Sequence, residues 1–378
     1  MKKAFTIIEL LVAMGLLAVL IAVSAMAFAM AVKAYRTADA SSEILVKLQA
    51  ITDQFNADFA GLQKDMPLAI WCQYDTTTGR RYDQMLFFAD GVFQSVGQYD
   101  NDPTAAQNLT IVSGAIARIY YGHADIINRN PTKPPARSLA DKAVTAHYWN
   151  ADVLSRRQHI LTSDTGLTPA GGYEPFPDMR NMSNIIFVPF AKRLVNDTEP
   201  YYPCNDVCEY DLCSMTDWKN AIAVQVNADK FLKTNFLTDL PPINPPIPTT
   251  PFDSGRPGID LSNIQTLPSL MAQGVGSFAV QIAQAPSGSS IVWFPSEDPN
   301  GDGNISDSDF SVLGADAQGF YFNLPVGSNA DMNGDGVSND WRRSTVLPAA
   351  LKFTFTLYDS AGVFPQGKTF THIVYIGN

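Results

Sequence analysis

Residues 1–32, MKKAFTIIELLVAMGLLAVLIAVSAMAFAMAV, open with two lysines and then run apolar, interrupted by one carboxylate, Glu9. From Leu10 to Val32 there are 23 residues without a charge. As a helix rising about 1.5 Å per residue they span roughly 34 Å, enough to cross a bilayer core of about 30 Å. The segment therefore predicts one transmembrane helix. A cleavable secretory signal has a shorter apolar core of about 7–15 residues with a small-x-small site behind it. Ala25 and Ala27 offer such a pair, so that alternative stays open. Lys2 and Lys3 precede the segment, and Lys33 and Arg36 follow it. The positive-inside rule then keeps the short N-terminus in the cytoplasm, with the bulk of the chain outside.

Glu9 admits two readings. A carboxylate at the membrane centre costs about 2–3 kcal/mol on insertion scales, and less near the interface. Either Glu9 sits at interface depth in the first helical turn, where the helix dipole favours negative charge, or it has a partner.

The helical pattern continues beyond the apolar run. Ile44, Leu48, Ile51, Phe55, Phe59 and Leu62 follow spacings of 4, 3, 4, 4 and 3, which set them on one stripe of a helix. The first proline is Pro67. One helix is expected from Phe5 to Gln63, its first half in lipid and its second half lying on a globular domain.

The string Ala4-Phe5-Thr6-Ile7-Ile8-Glu9-Leu10-Leu11-Val12-Ala13 resembles the N-terminal signal of type IV prepilins and type II secretion pseudopilins. The resemblance implies that a prepilin peptidase cuts after Ala4 and N-methylates Phe5. Glu9 would then be the fifth mature residue, pairing with the free amine of a neighbouring subunit; an unpaired charge in lipid supplies the drive for that pairing. The chain departs from the family at Ala4, where the family has Gly; alanine is still small, so cleavage is expected. It also lacks the proline that kinks many pilin membrane segments, which leaves Gly15 as the soft point.

The formal net charge is −11, and losing Lys2 and Lys3 makes it more negative by two. A nucleic-acid surface needs clustered cations, so nucleic acid is not an expected partner. The 46% hydrophobic content can fill a core. Strands are expected at 84–89, 91–96 and 116–121, with Asp90-Gly91 as a hairpin signal between the first two. From about 122 to 257 the chain turns rich in Pro, Asn, Asp and Tyr and reads as an insertion, with strand candidates at 184–189 and 221–226. Pro241, Pro242, Pro245, Pro246, Pro248, Pro251 and Pro257 read as a polyproline-like connector. Strand signals return at 276–284, 290–294, 351–357 and 372–376. The stretches 347–359 and 369–375 resemble the last hairpin of J-type minor pseudopilins, and 269–278 resembles an earlier strand of that family.

Residues 298–309, DPNGDGNISDSD, fit an EF-hand-like calcium loop. Oxygen ligands fall at Asp298, Asn300, Asp302, Asn304 and Ser306, a glycine occupies position 6, and Asp309 closes the loop at position 12. Asp309 replaces the usual Glu, as in the dockerin-type loops this segment resembles; the alternative is a solvated turn. A second copy follows with Asp331, Asn333, Asp335, Val337 and Asn339, but its position 12 is Arg342. Asn339 or Asp340 completes that site, or the two half-loops face each other, or it is only a turn. Calcium is the expected cofactor, in a structural role.

Cys72, Cys204, Cys208 and Cys213 are disulfide candidates outside the cytoplasm, with three possible pairings. Each joins Cys72 to one of the later three and leaves a second, local bridge between the other two; the pairing stays open. Their spacing is not that of a zinc ribbon. The sequence has no GxSxG, HExxH, P-loop or GxGxxG, and the histidines at 123, 147, 159 and 372 are scattered. No enzymatic activity is expected.

The expected fold is α+β and pilin-like, with a long N-terminal helix packed on antiparallel β-sheet and a large loop-rich insertion. The divisions are a leader at 1–4, a transmembrane half at 5–32, an amphipathic half at 33–64 and a globular domain at 65–378, with the calcium-loop excursion at about 298–342. The resemblance implies a minor pseudopilin of a bacterial type II secretion system, single-pass in the inner membrane with its bulk periplasmic, acting with other pseudopilins at a filament tip. A minor pilin of a type IV pilus, or a membrane-anchored binding module, is the alternative.

Overall fold

The computed structural model describes residues 6–72, 74–75, 80–100, 109–127, 153–162, 209–211, 214–216, 219, 258–260, 267–284, 291–294, 319–323, 341–344 and 347–376. Helix α1 spans Ile7–Ala60, 54 residues that Gly15 does not interrupt. Every residue from Thr6 to Ala31 is exposed. Beyond them, Ile44, Ile51, Phe55 and Phe59 are buried, and Leu48 and Leu62 pack against the same core. The stripe read from spacing is therefore the docking face.

The helix ends three residues earlier than its pattern, because the chain leaves it to join a sheet. The Asp90 N–H donates to the Gly61 carbonyl at 2.7 Å, and the Gln63 N–H donates to the Phe88 carbonyl at 2.8 Å. A Cβ on Gly61 would lie 1.9 Å from the Asp90 carbonyl oxygen, so only glycine permits this approach.

The larger sheet contains β1 (Leu68–Trp71), β4 (Gln84–Asp100), β5 (Leu109–Ile127), β6 (Val153–Leu161), β7 (Tyr210–Asp211), β12 (Gly319–Phe322) and β13 (Trp341–Ser344). Their order is β13-β12-β1-β4-β5-β6-β7, with β8 (Gly258–Asp260) beside β5 and β9 (Leu270–Gln273) beside β6. Its β1-β4-β5-β6 centre is antiparallel. A second, antiparallel sheet runs β11-β10-β14-β15, from Val292–Phe294, Val275–Gln284, Ala350–Leu357 and Lys368–Tyr375. The small pair β2 (Tyr74–Asp75) and β3 (Arg80–Arg81) lies between β1 and β4 in the chain.

Helix α1 wedges aromatic side chains between the two sheets. Phe59 stacks on Phe87 of β4 at 4.4 Å, while Phe55 stacks on Phe353 of β14 at 4.5 Å and meets Tyr121 of β5 edge-on at 4.8 Å. Offset-stacked and edge-on pairs of this kind add to the area they bury. On β14 alternate residues Leu351, Phe353, Phe355 and Leu357 are fully buried, the period of two that marks a strand with one covered face. The whole is α+β, a long helix on antiparallel sheets, consistent with a pilin-like fold.

Two sequence expectations are corrected. Asp90-Gly91 is not a hairpin turn: β4 runs on to Asp100, and its pairing with β5 steps from Asp90↔Ile116 to Phe93↔Gly114. The extra residue makes a bulge, and the bulge is where the helix end attaches. The stretch read as an insertion from about 122 to 257 also holds a core strand. β6 pairs with β5 over Ala117↔Ile160 to Ala124↔Val153, with Val153, Leu154 and Ile160 fully buried. The strand candidates at 184–189 and 221–226, the proline-rich connector, His147, and the acidic loops at 298–309 and 331–340 lie outside the described residues.

Candidate functional site: the N-terminal helix

The described chain opens at a capping box. Thr6 has an extended backbone, φ −80° and ψ 148°. Its hydroxyl accepts from the Glu9 N–H at 3.3 Å, while its own N–H donates to the Glu9 carboxylate at 2.9 Å. The Thr6 hydroxyl is also 2.9 Å from the same carboxylate oxygen. Two backbone donors that a helix start leaves unpaired are thus satisfied. Within one subunit Glu9 caps its own helix. This is the local reading of Glu9, and it leaves the second carboxylate oxygen, Oε1, with no bond among the described residues. Ala4 and Phe5, the processing residues, lie outside the described residues.

Behind the cap the apolar face is exposed, Ile7 at 78% and Phe28 at 72%. A helix belonging to a soluble core would be buried at such positions. This one is long and apolar enough to cross a membrane.

The second half is fastened to the domain by polar ties as well as by the aromatic wedge. Near its start, the Lys368 amine donates to the Ser41 hydroxyl at 3.2 Å. Glu43 forms a salt bridge with Lys47 at 2.8 Å and accepts from the Ser360 N–H and hydroxyl at 3.1 and 2.9 Å. Burial alone would raise the Glu43 carboxyl, but the Lys47 ammonium and the Ser360 donors outweigh it and hold it below the ordinary value. Lys47 in turn donates to the Tyr358 carbonyl at 3.0 Å. The β14–β15 turn that receives these contacts is set by Asp359, whose carboxylate accepts from the Val363 and Phe364 N–H groups at 2.7 and 2.8 Å. Those bonds overcome burial and hold its pKa below the usual carboxylate range.

At the far end, Asp58 lies on the buried face. Arg156 of β6 reaches it with two prongs, Nε to Oδ2 at 2.6 Å and Nη2 to Oδ1 at 2.7 Å. The Tyr121 hydroxyl donates to Asp58 as well, and Gln54 donates from one turn back at 3.0 Å. Burial first, then the adjacent carboxylate, push the Tyr121 phenol well above its ordinary value. Sequence reading passed over this cluster, although a carboxylate beside Phe55 and Phe59 on an apolar stripe was the available signal.

An ion pair that was not anticipated lies between β3 and β4 and ties that segment to β10 of the second sheet. Arg81 is bonded to Asp83, and also donates to the Val280 carbonyl at 3.1 Å; Asp83 accepts from the Val280 N–H at 2.7 Å. Arg81 comes within 3.4 Å of the Cys72 sulfur. Cys72 is buried and has no disulfide among the described residues, and burial pushes its pKa far up. Cys204, Cys208 and Cys213 lie outside the described residues. So do the proposed calcium ligands, and no cluster suited to a metal occurs among the described residues.

No curated protein and no solved structure matches the chain. Residues 1–25 match the model of the prokaryotic N-terminal methylation motif. With the exposed helix behind it, the motif indicates a membrane-anchored, type IV pilin-like protein, and implies processing by a prepilin peptidase and assembly with other pilins.

Proposed function

We propose that this chain is a structural subunit of a filament system in the bacterial inner membrane, specifically a J-like minor pseudopilin in the tip or priming complex of a type II secretion system. One observation carries the reading: a methylation motif leads into a helix whose first half is exposed and whose second half is clamped on a domain. Such a helix is held in lipid until other helices cover it. The likeness of the β14–β15 hairpin to that of J-type subunits supports the subtype. Ala4 and the missing proline support a minor, tip-like position over that of a major repeating subunit.

In this reading the mature chain begins at Phe5, and Glu9 exchanges its self-cap for the amine of a neighbouring subunit. The role is assembly, without enzymatic activity, and the domain lies in the periplasm. The acidic net charge of −11 disfavours nucleic acid as a partner. Glu9→Ala is the test. It should leave the domain folded, since Glu9 is remote from it, but abolish incorporation into the filament and protein export. Unchanged incorporation overturns the reading. A minor pilin of a surface type IV pilus is separated from a pseudopilin by whether the variant loses export or surface filaments.

We further propose structural calcium at Asp298, Asn300, Asp302, Asn304, Ser306 and Asp309, with a weaker second loop at 331–340. In chain order the first loop falls between β11 and β12, and the second between β12 and β13. Each ion would brace a connection to the β12–β13 edge of the larger sheet. A chelator should lower the melting temperature, and calcium should restore it; no change on chelation counts against both sites.

A further inference from the structure

Lys33, Tyr35 and Arg36 follow the last uncharged turn of the helix, and all three are exposed, Tyr35 at 74%. At about 100° per residue, Lys33 and Arg36 stand roughly 60° apart, with Tyr35 towards the opposite side. Together they ring the rod. Neither cation has an ion-pair partner among the described residues. The nearest acids on the helix are Asp39, one turn beyond Arg36, and Glu43, which is engaged by Lys47 and Ser360.

The domain begins just above this ring. Ala40 is the first helix residue it buries, and Lys368 to Ser41 is its first polar tie. Residues 33–39, all exposed but half-buried Thr37, are thus a collar roughly 10 Å long between the charge-free run and the domain. A headgroup layer is about 5–7 Å thick on each side of a bilayer. The collar has the length and the charge to sit in it.

We propose that Lys33 and Arg36, with Tyr35, bind the phosphates of phospholipid headgroups in the leaflet on the domain side, and so fix the depth of the helix. The inference rests on reading Leu10–Val32 as membrane-crossing. A guanidinium fork and an ammonium suit phosphate oxygens, and a tyrosine ring suits the boundary between hydrocarbon and water. Depth follows from length: Glu9 to Lys33 is 24 residues, about 36 Å along the axis, against a hydrocarbon core of about 30 Å. With the collar held at one surface, Glu9 rests at headgroup level on the other. Its capping box is then built outside the hydrocarbon, and moving the subunit outward draws the carboxylate into it.

The test uses the full chain in nanodiscs of equal phosphatidylglycerol and phosphatidylcholine, with the lipids that stay bound after release counted by native mass spectrometry. The wild type should retain phosphatidylglycerol over phosphatidylcholine by at least about fivefold, from roughly 1 kcal/mol per cation near an anionic surface. K33Q/R36Q should bring the ratio close to one, while K64Q/K352Q, which removes the same charge elsewhere, should keep it. Equal retention by K33Q/R36Q and wild type overturns the collar, and so does equal loss in the control. Carbonate extraction separates the two levels of the reading. Wild type that stays with vesicles keeps the membrane-crossing reading whatever the lipid ratio; wild type that is washed off overturns both.

Discussion

Asp58 on the helix and Arg156 on β6 are 98 residues apart in the chain, yet they meet in a two-pronged salt bridge with bonds of 2.6 and 2.7 Å. Their side chains are 4% and 14% exposed. Removing one partner of a buried pair leaves the other charged and uncompensated, a loss of about 3–5 kcal/mol. D58N and R156M should each destabilise the protein by that order. The double variant D58L/R156M should lose less than either single change. Denaturant unfolding of the detergent-solubilised chain, followed by aromatic fluorescence, reads both outcomes.

Gly61 and Gly15 should respond differently to alanine. At Gly61 the new Cβ meets a backbone oxygen at 1.9 Å, which no side-chain rotation relieves. G61A should cost about 3 kcal/mol, measured as a fall in unfolding free energy. At Gly15 nothing lies within 4 Å, and alanine is the better helix former by about 1 kcal/mol. G15A should leave domain stability unchanged.

His372 should impose a pH dependence. Burial lowers its pKa below the ordinary 6.5, so below that value the unfolded chain takes up a proton before the folded one does. Stability is then complete above pH 6.5 and declines as pH falls through the lowered value. The side chain also sits 3.0 Å from Asn56 on the helix. H372Q should flatten the decline in melting temperature in that window, leaving the loss at lower pH where Asp359 and Glu43 protonate.

Cys72 should resist alkylation. Its thiol is buried, bordered by Arg81 at 3.4 Å, and held in the neutral form by burial; thiolate is the reactive species. In reductant, iodoacetamide should modify Cys72 only after unfolding, as read by peptide mass spectrometry. Labelling of the folded chain would show that the β1 end opens.

The helix was legible because one period, carried by Ile44, Leu48, Ile51, Phe55, Phe59 and Leu62, extends a charge-free run without a break. The strands of the second sheet were legible for the same reason: β14 alternates buried and half-buried residues along its length. β6 was not, since Arg156, Arg157 and His159 give VLSRRQHIL a polar look. Those polar side chains face partners that only the fold supplies, as Arg118 does for His159 at 2.9 Å. The Asp90-Gly91 step failed for a related reason. A turn signal and a bulge use the same residues, and the choice was made by the helix end at Gly61. Glu9 was visible as an anomaly, but its cap depends on Thr6 standing three residues earlier in an extended conformation.

The contacts between α1 and the domain run from Ser41 to Phe59, spread along the rod and not gathered at one end. At about 1.5 Å per residue they cover roughly 27 Å of its length. Tension applied along the axis, from a membrane end being drawn towards neighbouring helices, therefore meets them in shear. The Lys47, Phe55 and Asp58 contacts are strained together, so the domain resists such a pull collectively. A sideways pull at the Ser41 end would instead open them one after another.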